Sequence, residues 1–274
     1  MLPQVRLDSR LNVHGDVWGV AELNNEIYVV CSQSPIVRVF AADPPNNRLK
    51  DFKVEGLQRP RDLTADSLTQ QLYIADILDS RCVWRIAAAD HTVDKFITDV
   101  RPRSLSVTSG RLLVMSWSDE LLLYGADGVR LHQIALQKNM LARHAVETPR
   151  GTYIVCHTDW QADRHHGVSE MDGTGRAVRV YYDGPPGPDP LQLNWPYRVA
   201  QFAAGRRLLI ADSGNSRVLS LAADLKLHRV LLTADHDQLD HQTWRLRVNA
   251  KTQRLVVNEY QSPRAIVYRI MCSM

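Results

Sequence analysis

Apolar residues along this chain come in short runs, paired about polar turns. Residues 207–221 read RLLIADSGNSRVLSL and residues 71–86 read QLYIADILDSRCVWRI: in each, an apolar run ends in Asp, a polar turn follows, and a second apolar run begins. Within the second of these copies, Leu72 and Ile74 alternate with Tyr73 and Ala75, the period of two expected of a strand. The same layout occurs four more times, at 26–40, 111–124, 152–171 and 254–270. A strand-like opening precedes each copy: DVWGVAE, RPRDLTAD, RPRSLSVT, ARHAVET, WPYRVAQF and QTWRLRVN. No long segment carries helical periodicity.

Taking the residue two before the core position of each opening as a marker gives Trp18, Arg61, Arg103, His144, Tyr197 and Trp244, at steps of 43, 42, 41, 53 and 47 residues. A period of about 40 to 45 residues with several short strands per unit is the pattern of propeller blades. One such unit cannot bury both faces of its sheet, so units must stack, and closing the stack into a ring leaves only short edges. The expected fold is all-β, a six-bladed β-propeller with blades near 15–57, 58–100, 101–141, 142–194, 195–240 and 241–270. The last unit is one strand short and the N-terminal segment 3–9 is unused. That segment is expected to complete the last blade and remove its open edge.

The 274 residues and 45% hydrophobic content suit a globular chain with a sizeable core. A net charge of +3 is too small to imply nucleic-acid or membrane binding from bulk electrostatics, so any basic partner surface must be local. No apolar run approaches the roughly 18 residues of a membrane-span candidate, and the start lacks a signal-peptide pattern. A cytoplasmic protein without a membrane partner is the expectation. Cys31, Cys82, Cys156 and Cys272 show no CxxC spacing. Cys31 and Cys156 occupy the same repeat column in units one and four, on opposite sides of the ring, too far apart for a disulfide.

The phrases IADSGNSRV and IADILDSRCV, each after a Pro-led opening, resemble NHL repeats, most clearly in units two and five. The resemblance covers essentially the whole chain. It implies a six-bladed propeller that binds a protein or single-stranded RNA on one flat face, as in the C-terminal domains of tripartite-motif NHL proteins, with no cofactor. More distantly the chain resembles propeller enzymes, lactonases and strictosidine-synthase-like proteins, which would act on a small molecule at the central channel.

If the openings are the innermost strands, their first residues ring the channel mouth. The candidate binding set on this rim is Trp18, Arg59, Arg61, Arg101, Arg103, His144, Tyr197 and Trp244, with Trp160 on a projecting loop of unit four. Arginines suit phosphates or carboxylates, and flat rings suit bases or aromatic anchors. The rim divides into a basic half on units two to four and an aromatic half on units five, six and one. The unit-four loop also holds His157, Asp159, Asp163 and His165, all of metal-ligand type, but no second motif completes a ligand set and the loop is read as solvated. For a calcium-dependent enzyme the nominees are Glu22, Asp62 and Glu147; for a nucleophile, Cys156 with His144 or His157. Neither set is complete. The Asp column of the repeat, Asp76 and Asp212, is expected to bond backbone amides of nearby turns.

Overall fold

Twenty-four strands, β1 to β24 in chain order, form six four-stranded antiparallel sheets among the residues that the computed structural model describes: 4–78, 81–137, 140–158, 165–189, 191–202, 206–234, 239 and 242–271. Each sheet is a meander whose innermost strand is one of the six openings: β2 (Val17–Leu23), β6 (Pro60–Asp66), β10 (Pro102–Thr108), β14 (Leu141–Glu147), β18 (Pro196–Phe202) and β22 (Thr243–Asn249). The architecture is the six-bladed β-propeller that the repeat period predicts.

The sixth blade draws on both ends of the chain. Strand β1 (Gln4–Asn12) pairs antiparallel with β24 (Arg264–Met271), from Gln4 opposite Met271 to Asn12 opposite Arg264. Asp8 on β1 lies 3.4 Å from Arg269 on β24, adding an ion pair to the seam. Among the described residues, no helix is long and apolar enough to cross a membrane.

Apolar side chains gather in six clusters, one for each interface between neighbouring blades. Leu72 and Ile74 pack toward blade one with Val30, Val39 and Leu63, while Tyr73 and Ala75 pack toward blade three with Leu105 and Val114. The alternation in the sequence therefore separates two buried interfaces, and the second strands are buried almost end to end. Cys31, Cys82 and Cys156 are buried, and Cys31 and Cys156 form no disulfide, in agreement with their repeat positions.

The Asp column behaves as the repeat suggests. Asp76 accepts hydrogen bonds from the amides of Gln58 and Arg59 at 3.1 and 3.0 Å, and Asp212 accepts from the Asn194 amide at 2.7 Å and from Arg217 Nε at 2.7 Å. Each ties the entry of an inner strand to the end of its neighbour. Arg217 also donates to the carbonyls of Pro188 and Asp189, both at 2.9 Å, which clasps these two residues of the Pro-rich loop against blade five.

Near the axis, blades one and two approach so closely that only glycine fits at position 19. A Cβ there would lie 2.6 Å from the Leu63 backbone nitrogen and 2.8 Å from both Leu63 Cβ and Val30 Cγ2. Gly19→Ala is expected to cost about 1–3 kcal/mol through overpacking, read in urea denaturation as a lower midpoint with an unchanged slope.

Candidate binding site at the channel mouth

In all six blades the pairing of the inner strand with the next skips one residue near the mouth: between Val17 and Gly19, Pro60 and Asp62, Pro102 and Ser104, Ala142 and His144, Pro196 and Arg198, and Thr243 and Arg245. A bulge of this kind leaves one residue out of the ladder and re-aims its side chain. The residues so displaced are Trp18, Arg61, Arg103, Arg143, Tyr197 and Trp244. Three guanidiniums on blades two to four thus meet three rings on blades five, six and one.

This is the division expected from the sequence with one correction, since blade four supplies Arg143 and not His144. The marker is one residue out in that blade because its core position is held by the small Ala145, which packs between blades three and four and leaves Val146 to look like the core residue. His144 is 0% exposed. Its Nε2 lies 3.2 Å from the Leu105 carbonyl, and its Nδ1 accepts from the Val199 amide at 3.4 Å. The two bonds join blades three and five and assign the proton to Nε2. Burial, with Arg198 and Arg247 adding to it, holds this imidazole well below its usual range and keeps it neutral. His144 is a strut inside the ring.

At the mouth lies a cavity of ≈ 610 Å³, whose lining includes Trp18, Arg59, Arg61, Trp195, Trp244 and Tyr260. Trp244 is its aromatic centre, with ring centroids 5.0 Å from Trp18, 5.3 Å from Tyr197 and 4.2 Å from Tyr260. Arg61 lies 4.3 Å over the Trp18 ring and donates from Nη2 to the Tyr197 hydroxyl at 2.9 Å. Arg103 lies 4.2 Å over Trp117, donates to the Ala142 carbonyl and sits 3.4 Å from Asp119. Arg143 lies 5.0 Å from the Trp195 ring and donates to Thr158 Oγ1 at 2.9 Å. Arg101 is exposed, 5.5 Å from the Trp117 ring.

Below the rings, the residues that follow the bulges close the channel around one carboxylate. Asp62, 1% exposed, is 2.7 Å from Arg198, 3.1 Å from Arg245 and 3.2 Å from Arg247, and it accepts the amides of Leu63 and Leu105 at 2.9 and 2.7 Å. Burial works to raise the pKa of this carboxyl, but Arg198, Arg247 and Arg245 outweigh it and hold it well below the usual carboxylate range. Three cations share one anion, so the surplus appears on the arginines: burial and the like charge of Arg247 push Arg198 down to about 9, and burial pushes Arg143 down to about 10. Tyr197 reports the same field. Burial would raise its phenol, yet Arg61, Arg245 and Arg143 pull it below the ordinary value.

No family model and no curated protein matches the chain. Among solved structures, the WD40 β-propeller domain of Doa1 is similar over 97% of each chain, with a TM-score of 0.64 and 13% identity. The likeness is one of fold. It leaves the chemistry to the residues of this chain.

Several sequence candidates find other work. Glu22 pairs with Arg254 at 3.1 Å, Glu147 with Arg111 at 2.7 Å, and Asp62 with its three arginines, so the calcium nominees are separately engaged and do not converge. Cys156 is fully buried and burial pushes its thiol far up, which leaves no thiolate for a nucleophilic pair. His157 is buried against Ser169 Oγ at 2.9 Å, and His165 is exposed. Asp159, Trp160 and Asp163 lie outside the described residues. Among the described residues, no group of three or more His, Cys, Asp or Glu side chains could hold a metal ion.

Sequence reasoning missed Trp117 and Tyr260, and the channel arginines Arg198, Arg245 and Arg247; Trp195, which the sequence places beside the rim at the end of the Pro-rich stretch, does line the cavity. Trp117 and Tyr260 directly follow the Asp column of the repeat, where a closing bond from each amide, to the Arg101 carbonyl at 3.0 Å and the Gln242 carbonyl at 2.9 Å, fixes them at the rim. That column was a usable signal.

Asp62→Asn, which strands the buried guanidiniums of Arg198 and Arg245 and the part-buried one of Arg247, is expected to cost about 3–5 kcal/mol in chemical denaturation at neutral pH. Because the folded pKa is depressed, the stability that Asp62 contributes is complete above the unfolded carboxylate value of about 4 and is lost as pH falls below it toward the folded value. The wild type should therefore lose stability more steeply than Asp62→Asn below about pH 4, measured by urea midpoints on an acid series.

Proposed function

We propose that the chain is a non-enzymatic, NHL-type recognition module that holds an acidic segment of a protein partner on its rim face. The observation that carries this reading is the concentration of cationic charge at one mouth. Arg59, Arg61, Arg101, Arg103 and Arg143 surround it, and among the described residues Arg59, Arg61 and Arg101 make no ion pair. A binding site is the use that accounts for this collection, since a fold needs no surplus of one sign at its axis.

A protein partner fits better than a strand of RNA. A groove for single strands tracks successive phosphates and offers open ring faces for bases. Here the guanidiniums converge on the channel axis, and they cover the faces of Trp18 and Trp117 themselves. An acidic peptide with an aromatic or proline anchor needs only one such pocket. The hairpin phrases of blades two and five, with Asp76 and Asp212 holding turn amides, support the NHL-type reading. Buried free thiols suit the reducing cytoplasm in which we place the protein. The volume of the mouth favours one second reading, a small anionic molecule bound in the channel.

The test is selection from a randomised acidic-aromatic peptide pool and, in parallel, from a single-stranded RNA pool, each across a salt titration. The variant to compare is Arg59→Glu with Arg101→Glu. Arg103 is unsuitable for charge reversal because it is 4% exposed and bonds the Ala142 carbonyl across blades three and four. Peptide binding weakened at least about tenfold by the double variant, with a salt-dependent affinity, is the expected outcome. Retention of RNA with no peptide enriched would move the function to nucleic acid.

A further inference from the structure

We infer that the channel mouth is a site for a phosphomonoester dianion, the group by which a partner is held at its deepest point. This rests on the rim-face reading above and names the chemistry of its central contact.

Buried donors without acceptors are the first observation. Arg245 is 4% exposed, and its guanidinium lies 6.0 Å from the ring centroid of Trp18 and 5.9 Å from those of Tyr197 and Trp244. It lies beneath the aromatic cluster, behind the residues that line the cavity, and adds its charge to the mouth from below. Its Nη1 is 3.1 Å from Asp62 Oδ1, off hydrogen-bond geometry, and its Nη2 has no hydrogen-bond partner. The Nε atoms of Arg59 and Arg61, which line the cavity, are likewise buried and without a partner. Buried donors of this kind call for an acceptor that completes them. The Tyr197 hydroxyl accepts from Arg61 and keeps its own O–H to donate.

The size of the charge surplus is the second. Asp62 already serves Arg198, Arg245 and Arg247, and Asp119 serves Arg103. One more carboxylate would leave much of the remaining field unanswered. A phosphomonoester brings close to two charges and three acceptor oxygens, and guanidinium is the group that matches it in a forked geometry. The walls supply the third observation: Trp18, Trp244 and the 42% exposed Tyr260 flank the opening, so the ester can carry a flat or apolar substituent. A phosphorylated aromatic side chain of a partner and a free aryl phosphate present the same chemistry to this mouth.

The experiment titrates the intact protein with phenyl phosphate, benzoate and inorganic phosphate, followed by tryptophan fluorescence and calorimetry. Phenyl phosphate is expected to saturate one site at least about tenfold more tightly than benzoate. Its affinity should fall as pH drops through about 6, where the ester loses its second charge. Arg61→Gln is expected to weaken it by about tenfold or more, whereas Arg130→Gln, exposed on the outer strand of blade three, leaves it unchanged. Equal affinity for benzoate, or binding that survives Arg61→Gln in a folded variant, overturns the inference. Should Arg61→Gln fail to fold, the wild-type preference and its pH dependence decide alone. A tyrosine-phosphorylated acidic peptide should displace phenyl phosphate and its unphosphorylated form should not; displacement by 5′-phosphorylated RNA instead would overturn the protein carrier. If phenyl phosphate does not bind while acidic peptides still do so through Arg59 and Arg101, the phosphate site falls and the rim reading stands. Loss of both removes both.

Discussion

One carboxylate holds the middle of this ring. Asp62 on blade two takes amides from its own blade and from blade three, and guanidiniums from blades five and six. The neutral His144 of blade four then spans blades three and five, and Gly19 lets blade one close against Leu63. The apolar clusters between blades supply the non-directional part of the stability. The directional part is this small set of bonds around the axis, which joins blades two, three, five and six through Asp62 and blades three, four and five through His144. A low-dielectric interior makes such bonds strong while they are complete and costly when a partner is removed.

The same arrangement explains why the mouth is cationic. Three arginines need one anion to be buried at all, and one is what they have, so the field they leave over extends upward to Tyr197 and joins that of Arg61, Arg103 and Arg143. The guanidiniums are kept apart by aromatic rings, Arg61 on Trp18 and Arg103 on Trp117, which offset part of their mutual repulsion by cation–π attraction. Structure below and recognition above thus share one electrostatic system. Substitutions at the axis and at the rim within it are expected to be non-additive.

The fold was legible because its period is written in residue types: an apolar run, Asp, a turn, a second run, six times over. The Asp column was legible for the same reason, since Asp76 and Asp212 do a local job that any copy of the hairpin needs. Five of the six bulged positions were legible as such; in blade four the marker fell on His144, with its neighbour Arg143 placed only in the same sector, because the small core residue Ala145 makes a weak landmark there. Arg198, Arg245 and Arg247 could not be read at all, although they share inner strands with the rim residues. Their partner Asp62 lies 136 or more residues away in sequence, and nothing in a local pattern tells a surface arginine from one that plugs a channel.

The seam between β1 and β24 sets the order of events on the ribosome. Roughly 250 residues separate the two strands, and at about 5–20 residues per second β1 waits on the order of tens of seconds before its partner exists. Blades one to five can form hairpin by hairpin in that interval, each stacking on the one before. The circle closes only after β24 has left the exit tunnel, and until then the nascent chain is an open arc with an exposed first face and an unpaired leading strand. Such an arc exposes strand edges of the kind that chaperones shield, and it does so until β1 finds β24.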